Sequence, residues 1–251
     1  MRVLVPLPDR DFDTTEVSVP WRVLTRAGHD VVFATERGDV AACDPLLLGG
    51  VVFGKLGADP EPRAFYGELE KSPEFRAPIR YDEIDPTSFG ALVLPGGHAP
   101  GMKPYLESEI LRGKAAGFFA LKRQVAAICH GVLVLARARD TRERDGAKSL
   151  IHDRRTTCLP KWMERSAYYM TFWKRGRYYR TYDAYVEDEV RAALDDPATQ
   201  FVRGPFGKSA RGTSTDDAAA MVVEDGNYLS ARWPGDAYLF AKRLAERLAA
   251  S

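Results

Sequence analysis

Residues 124 to 131 read Gln124-Val-Ala-Ala-Ile-Cys129-His130-Gly131, and Val132-Leu-Val-Leu-Ala136 follows. An apolar strand therefore runs directly into a cysteine, a histidine and a glycine, and then into an apolar helix. Few backbones accept that order. The one it describes is a nucleophile elbow, a sharp strand-to-helix turn that lifts the cysteine sulfur out of a sheet. The helix N-terminus is expected to favour the thiolate. Gly131 is expected to leave room where the helix passes close to a strand. The ordinary alternative is a core cysteine, since free cysteine is among the most buried residue types. For an isolated Cys-His-Gly that alternative would win; between a strand and a helix, catalysis is favoured.

The rest of the chain supplies the sheet such an elbow needs. Arg2 to Pro6, Asp30 to Thr35, Ala91 to Pro95 and the run into Cys129 read as short buried strands. Helices are expected from about Glu16 to Ala27, capped by Thr14 or Thr15 and ended at Gly28, then over Glu107 to Lys122, 130 to 139, Glu187 to Leu194 and 236 to 249. Arg154 to Leu159 is expected to be a strand, and Ala218 to Val223 with Tyr228 to Arg232 a hairpin around Asp225-Gly226-Asn227. Strands alternating with helices imply a mainly parallel sheet covered on both faces. Residues 36 to 88, rich in proline and without regular alternation, read as an excursion out of the sheet. Asp140 to Gly146 reads as a polar turn. With no visible linker or repeat, residues 1 to 251 are taken as one domain.

Composition narrows the function classes. A formal net charge of +1 gives no bulk attraction to nucleic acid or an anionic membrane. No apolar run approaches the length of a membrane span. Met1 leads straight into strand-like residues with no secretory signal, and the odd set Cys43, Cys129 and Cys158 suggests neither a disulfide framework nor a zinc cluster; a cytoplasmic setting is expected. No histidine pair, Rossmann fingerprint or P-loop points to a metal or a cofactor, so none is expected.

In an open parallel sheet, sites form at the carboxyl ends of strands. Three segments bring useful chemistry there: Glu16 on the first helix, the Leu94-Pro-Gly-Gly-His98 loop with its backbone N–H groups, and Cys129-His130 at the elbow. Together with Glu16-Val-Ser-Val-Pro20, Phe33-Ala-Thr-Glu36, Ala127-Ile-Cys-His-Gly131 and Gly226-Asn227-Tyr-Leu-Ser-Ala-Arg-Trp-Pro234, these pieces span nearly the whole chain. In this order and spacing the chain resembles the ThiJ/PfpI superfamily, whose fold is shared with class I glutamine amidotransferases. Histidines at 98 and 130 make it most similar to the heat-shock chaperone/glyoxalase III branch. Taken singly, Glu16 is a first-turn acid that suits the helix dipole, Gly96-Gly97 a turn, and His98 a loop hydrogen-bonding residue.

The resemblance implies a flavodoxin-like three-layer α/β sandwich with a mainly parallel sheet. It implies Cys129 as nucleophile, Glu16 beside the sulfur as a protonated acid or proton shuttle, His130 as acid/base partner, and the N–H groups of Gly97 and His130 as an oxyanion hole, with His98 at the substrate. Glutamine hydrolysis is disfavoured, because such enzymes use a histidine well downstream of the cysteine, and this chain has only His29, His98, His130 and His152. Two departures stand out. Where the glyoxalase-like branch orients the elbow histidine with an acid, this chain has Lys161 or Trp162; Glu164 and Asp153 are the nearest acids. Residues 161 to 185 interleave arginines with many aromatics. In a chain that is not basic overall, this favours a cap over the pocket or a dimer contact rather than nucleic-acid stacking. The expected function is cofactor-free conversion of a small reactive carbonyl, methylglyoxal to lactate, by a homodimer. Its rivals are a cysteine hydrolase or hydratase of another small electrophile and a holdase or redox stress protein.

Overall fold

A computed structural model of the chain describes residues 1–52, 56–140, 148–207 and 209–250. Its centre is a seven-stranded sheet. The strands are β1 (Arg2–Pro6), β3 (Asp30–Thr35), β5 (Ile79–Arg80), β6 (Ala91–Leu94), β7 (Gln124–Ile128), β8 (Val222–Asp225) and β9 (Tyr228–Ala231), in the order β5-β3-β1-β6-β7-β9-β8. All pairs are parallel except β8 with β9. β6 is buried at every position, and β7 at all but Gln124. Strands covered on both faces need continuous rather than alternating apolar runs, which Ala91-Leu-Val-Leu94 and Val125-Ala-Ala-Ile128 supply. Helices Thr14–Arg26, Pro60–Leu69 and Ala237–Ala249 pack together, as do Glu109–Ala120, Val132–Arg137 and Val186–Ala192. This is the expected α/β sandwich.

The first helix begins earlier than its threonines suggested. Asp13 is the cap: its carboxylate accepts from the N–H groups of Thr15 at 2.8 Å and Glu16 at 3.1 Å. Asp-x-x-Glu is a capping-box pattern, in which the glutamate would ordinarily fold back on the cap. Glu16 instead turns away into the protein.

The segment 36 to 88 leaves the sheet but ends inside it. β4 (Ala42–Cys43) pairs with β2 (Arg10–Phe12) in a separate two-stranded sheet. Three short helices, Pro45–Gly49, Pro60–Leu69 and Pro73–Arg76, each open on proline, whose fixed φ suits the first turn. β5 then closes the edge of the main sheet against β3.

Arg154 to Leu159 is not a strand. It runs beside β9, held by side chains: the Thr157 N–H donates to Ser230 Oγ at 3.0 Å and the Thr156 hydroxyl bonds the Tyr228 hydroxyl at 2.8 Å. Its β-bridge, Thr156 with Phe201, is isolated. Hydroxyls here take the place of a backbone ladder. The stretch expected as helix over Glu107 to Lys122 breaks at Ser108, which caps Glu109–Ala120. The helix after Cys129 is also short: a 3₁₀ turn, Cys129–Gly131, precedes Val132–Arg137. The turn expected at Asp140 to Gly146 lies, beyond Asp140, outside the described residues. Among the described residues no helix is long and apolar enough to cross a membrane.

Candidate active site

β7 delivers Cys129 at φ +59°. A non-glycine residue held in this left-handed region is strained, and such strain concentrates where a side chain must be aimed. Two glycines make the approach possible. A Cβ on Gly131 would fall 2.1 Å from the Leu94 carbonyl oxygen, so the helix could not sit against β6 with any side chain there. A Cβ on Gly96 would meet the His130 nitrogen at 2.7 Å, Glu16 Oε2 at 2.8 Å and Cys129 Cβ at 2.9 Å. Gly96 is therefore where the three expected segments converge.

Glu16 is fully buried, and its Oε2 accepts the Gly96 N–H at 2.8 Å. Its carboxyl faces the Cys129 thiol, and each acts on the other's proton. Burial first, then the neighbouring Asp13 carboxylate, pushes Glu16 well above the usual carboxylate range, which favours its protonated form. Burial also pushes the Cys129 thiol well up, with the charges of Glu16 and Asp13 adding to it, while the His130 N–H opposes the shift. The expected preference for thiolate is thus reversed in the resting site. A short helix start cannot outweigh the loss of water and two facing carboxyls.

His130 is completely buried, with Nδ1 3.5 Å from the Cys129 sulfur. Burial, then His98 and Arg137, holds its imidazole well below the ordinary range, so it is neutral. Its Nε2 has no hydrogen-bond partner. Neither candidate acid reaches it. Glu164 accepts from the Val186 N–H at 3.0 Å and the Arg180 guanidinium at 3.3 Å, and burial raises it to about 7. Asp153 is half-exposed and pairs with Arg154. His152, the last histidine, bonds Asp195 at 2.8 Å.

Above the sulfur is a cavity of about 400 Å³. Gly97 and His98 form part of its wall. The His98 ring lies 4.6 Å from the Tyr179 ring and 5.6 Å from His130, and burial lowers its pKa to about 4. The aromatic segment divides by face. Helix Lys161–Arg175 ends at Gly176, and its inner residues Trp162, Met163, Ser166, Ala167, Met170 and Thr171 line the cavity together with Tyr179. Tyr169, Phe172 and Trp173 are about half-exposed on the outside. Three wall residues carried no functional signal in the sequence: Asp13, Arg211 and Trp233. Asp13 sits in the capping box with Glu16, and Trp233 in the Gly226–Pro234 stretch; Arg211 lies in an irregular stretch without periodicity.

Residues 7–205 match the family model described as ThiJ/PfpI family-like. The chain belongs to the ThiJ/PfpI family. A ThiJ/PfpI relative, a deglycase of Pyrococcus abyssi, is 25% identical over 99% of both chains. Deglycase PfpI of Pyrococcus furiosus is 27% identical over 71% of this chain and 90% of its own. The crystal structure of glyoxalase III from Candida albicans shares the fold, with a TM-score of 0.67 at 17% identity over 98% of this chain and 96% of that one.

All three thiols of this ThiJ/PfpI chain are buried, but among them only Cys129 lines the cavity. Brief, low-dose iodoacetamide followed by peptide mapping is expected to label Cys129 first. Preferential labelling of Cys43 or Cys158 would show that the cavity does not admit reagents to the elbow.

Proposed function

We propose that the chain is a cysteine-dependent enzyme that converts a small α-oxoaldehyde, such as methylglyoxal, to the corresponding hydroxy acid. One observation carries this reading: the Cys129 thiol and the neutral His98 ring line one cavity, with the buried Glu16 carboxyl and the neutral His130 imidazole beside the thiol. The names of the relatives, deglycase and glyoxalase III, support chemistry at a carbonyl.

The sulfur adds to the aldehyde carbon, forming a C–S bond as the C=O π bond opens. The thiol proton passes to His130 Nδ1, and the new oxyanion is met by backbone N–H groups, for which Gly97 and His130 are the candidates. The oxyanion takes that proton back from His130, which then removes the carbon-bound proton while Glu16 protonates the ketone oxygen; His130 returns its proton to the former ketone carbon as the hydroxyl on the first carbon gives its own to Glu16. The first carbon is thereby oxidised to a thioester and the second reduced to an alcohol, with no external electron donor. Water cleaves the thioester, releasing the hydroxy acid and restoring the thiol.

Purified protein treated with chelator is expected to consume methylglyoxal and release lactate without added glutathione or metal. Turnover of an amide or nitrile with no lactate from methylglyoxal would move the site to the hydrolase or hydratase reading. We place the homodimer contact on the outer aromatic face of helix Lys161–Arg175. Size-exclusion chromatography of Trp173→Ala, set beside the substrate profile of Trp162→Ala, separates that face from the cavity face.

A further inference from the structure

The cavity wall is chiefly apolar, yet one cation is set into it. Among the described residues that line it, Arg211 alone carries a permanent positive charge. Its guanidinium is poorly satisfied. Nη1 is buried without a hydrogen-bond partner and lies 3.6 Å from the Asp59 carboxylate, too far for a good bond. Nη2 reaches only the Gly57 carbonyl, at 3.5 Å. The group lies over the Trp233 ring, 5.4 Å from its centroid, which fixes its plane. Trp233 is nine-tenths buried and also lines the cavity, and its Nε1–H has no acceptor. The Trp162 Nε1–H on the same wall is buried and unmatched as well. Among the described residues Asp13 is the wall's one carboxyl; its Oδ1 accepts both helix N–H groups, and the charge of Arg211 acts on it without a hydrogen bond between the two.

Buried donors without acceptors are costly and uncommon in folded proteins. Three of them on one apolar wall, one being a planar guanidinium, match a ligand that brings acceptor oxygens, and a carboxylate fits the guanidinium fork best. The cavity's size, within the range of ordinary ligand pockets, also exceeds what a three-carbon aldehyde fills. We propose that the natural substrate carries a carboxylate distant from its reacting aldehyde, held by Arg211 with the indole N–H groups of Trp233 and Trp162. This rests on the α-oxoaldehyde reading for the reacting end; the carboxylate end stands on Arg211 and its neighbours.

Two probes test the two ends apart. In turnover, 4,5-dioxopentanoate is compared with its uncharged amide. The wild type is expected to favour the carboxylate at least tenfold in kcat/KM. Arg211→Gln should bring that ratio close to one, and Arg211→Lys should restore part of it. In calorimetric binding, which needs no reaction, glutarate is expected to bind at least tenfold more tightly than glutaramide, a difference that Arg211→Gln removes. Equal handling of charged and uncharged partners by the wild type, or a preference that survives Arg211→Gln, would overturn the inference. Selective, Arg211-dependent glutarate binding with no turnover of either aldehyde would uphold the carboxylate site while defeating the oxoaldehyde reading.

Discussion

Cys129→Ala is expected to lower kcat/KM for methylglyoxal by roughly 10⁴-fold or more, the scale of losing a covalent nucleophile. The cause is direct. Without the sulfur there is no C–S bond to hold the substrate while a proton moves between its carbons, and neither Glu16 nor His130 can replace it. The fold should survive. Alanine inherits the same φ of +59° and therefore the same strain, and it removes only one buried atom. Lactate release and thermal unfolding, measured on the same preparation, check both halves. The experiment also separates the rivals: a holdase would keep protecting a client protein, and a redox sensor would lose only its response to peroxide. Activity retained by the alanine variant would defeat the enzymatic proposal outright.

Glu16→Gln is expected to cost roughly 10²- to 10³-fold in turnover, the scale on which general acid–base groups act, while Cys129 alkylation at alkaline pH, where Glu16 has ionised, becomes faster. The opposed directions follow from the site. The glutamine carbonyl can still accept the Gly96 N–H, so the three segments remain joined, but an amide cannot pass a proton. Once ionised, Glu16 is among the groups that push the Cys129 thiol up, so at alkaline pH removing its charge returns the thiol part of the way toward its ordinary value and raises the thiolate fraction. Stability should move too. The folded-state pKa of Glu16 is raised above its unfolded value near 4.5. Its contribution is therefore fully present below that value and is lost as pH rises toward the folded pKa. The melting temperature of the glutamine variant should accordingly gain on the wild type as pH climbs above 4.5. Wild-type turnover in this variant, or slower alkylation, would remove Glu16 from the chemistry.

The elbow was legible because its geometry is local: Ile128, Cys129 and Gly131 fall within one turn, and few backbones suit apolar strand, cysteine, glycine and helix in succession. The meeting of Glu16 with Gly96 and Cys129 was legible in outline, since all three follow strands at one edge of a parallel sheet, but the contact of Glu16 with the sulfur came only through family resemblance. The protonation of Cys129 was misjudged because a sequence displays the helix that follows a thiol but not the depth at which the thiol lies. Arg211 and Trp233 were passed over for a related reason. Their places on the cavity wall are set by how the irregular stretch before β8 and the turn after β9 cross the sheet's carboxyl edge, which no periodicity encodes. Arg154 to Leu159 had the composition of a strand, but hydroxyl bonds to β9 took the place of backbone pairing.

The Gly96–Glu16 bond joins positions 80 residues apart, and it closes only when β1, β6 and β7 have found their parallel register. Non-local pairing of this kind is a slow step in folding. The Glu16 contact on which the proposed proton transfer depends is thus among the later contacts to form, so a chain still emerging from synthesis is expected to carry an ordinary cysteine. Recovery of catalytic turnover during refolding should then lag behind recovery of helical signal, and the enzyme's own reaction becomes a clock for completion of its central sheet.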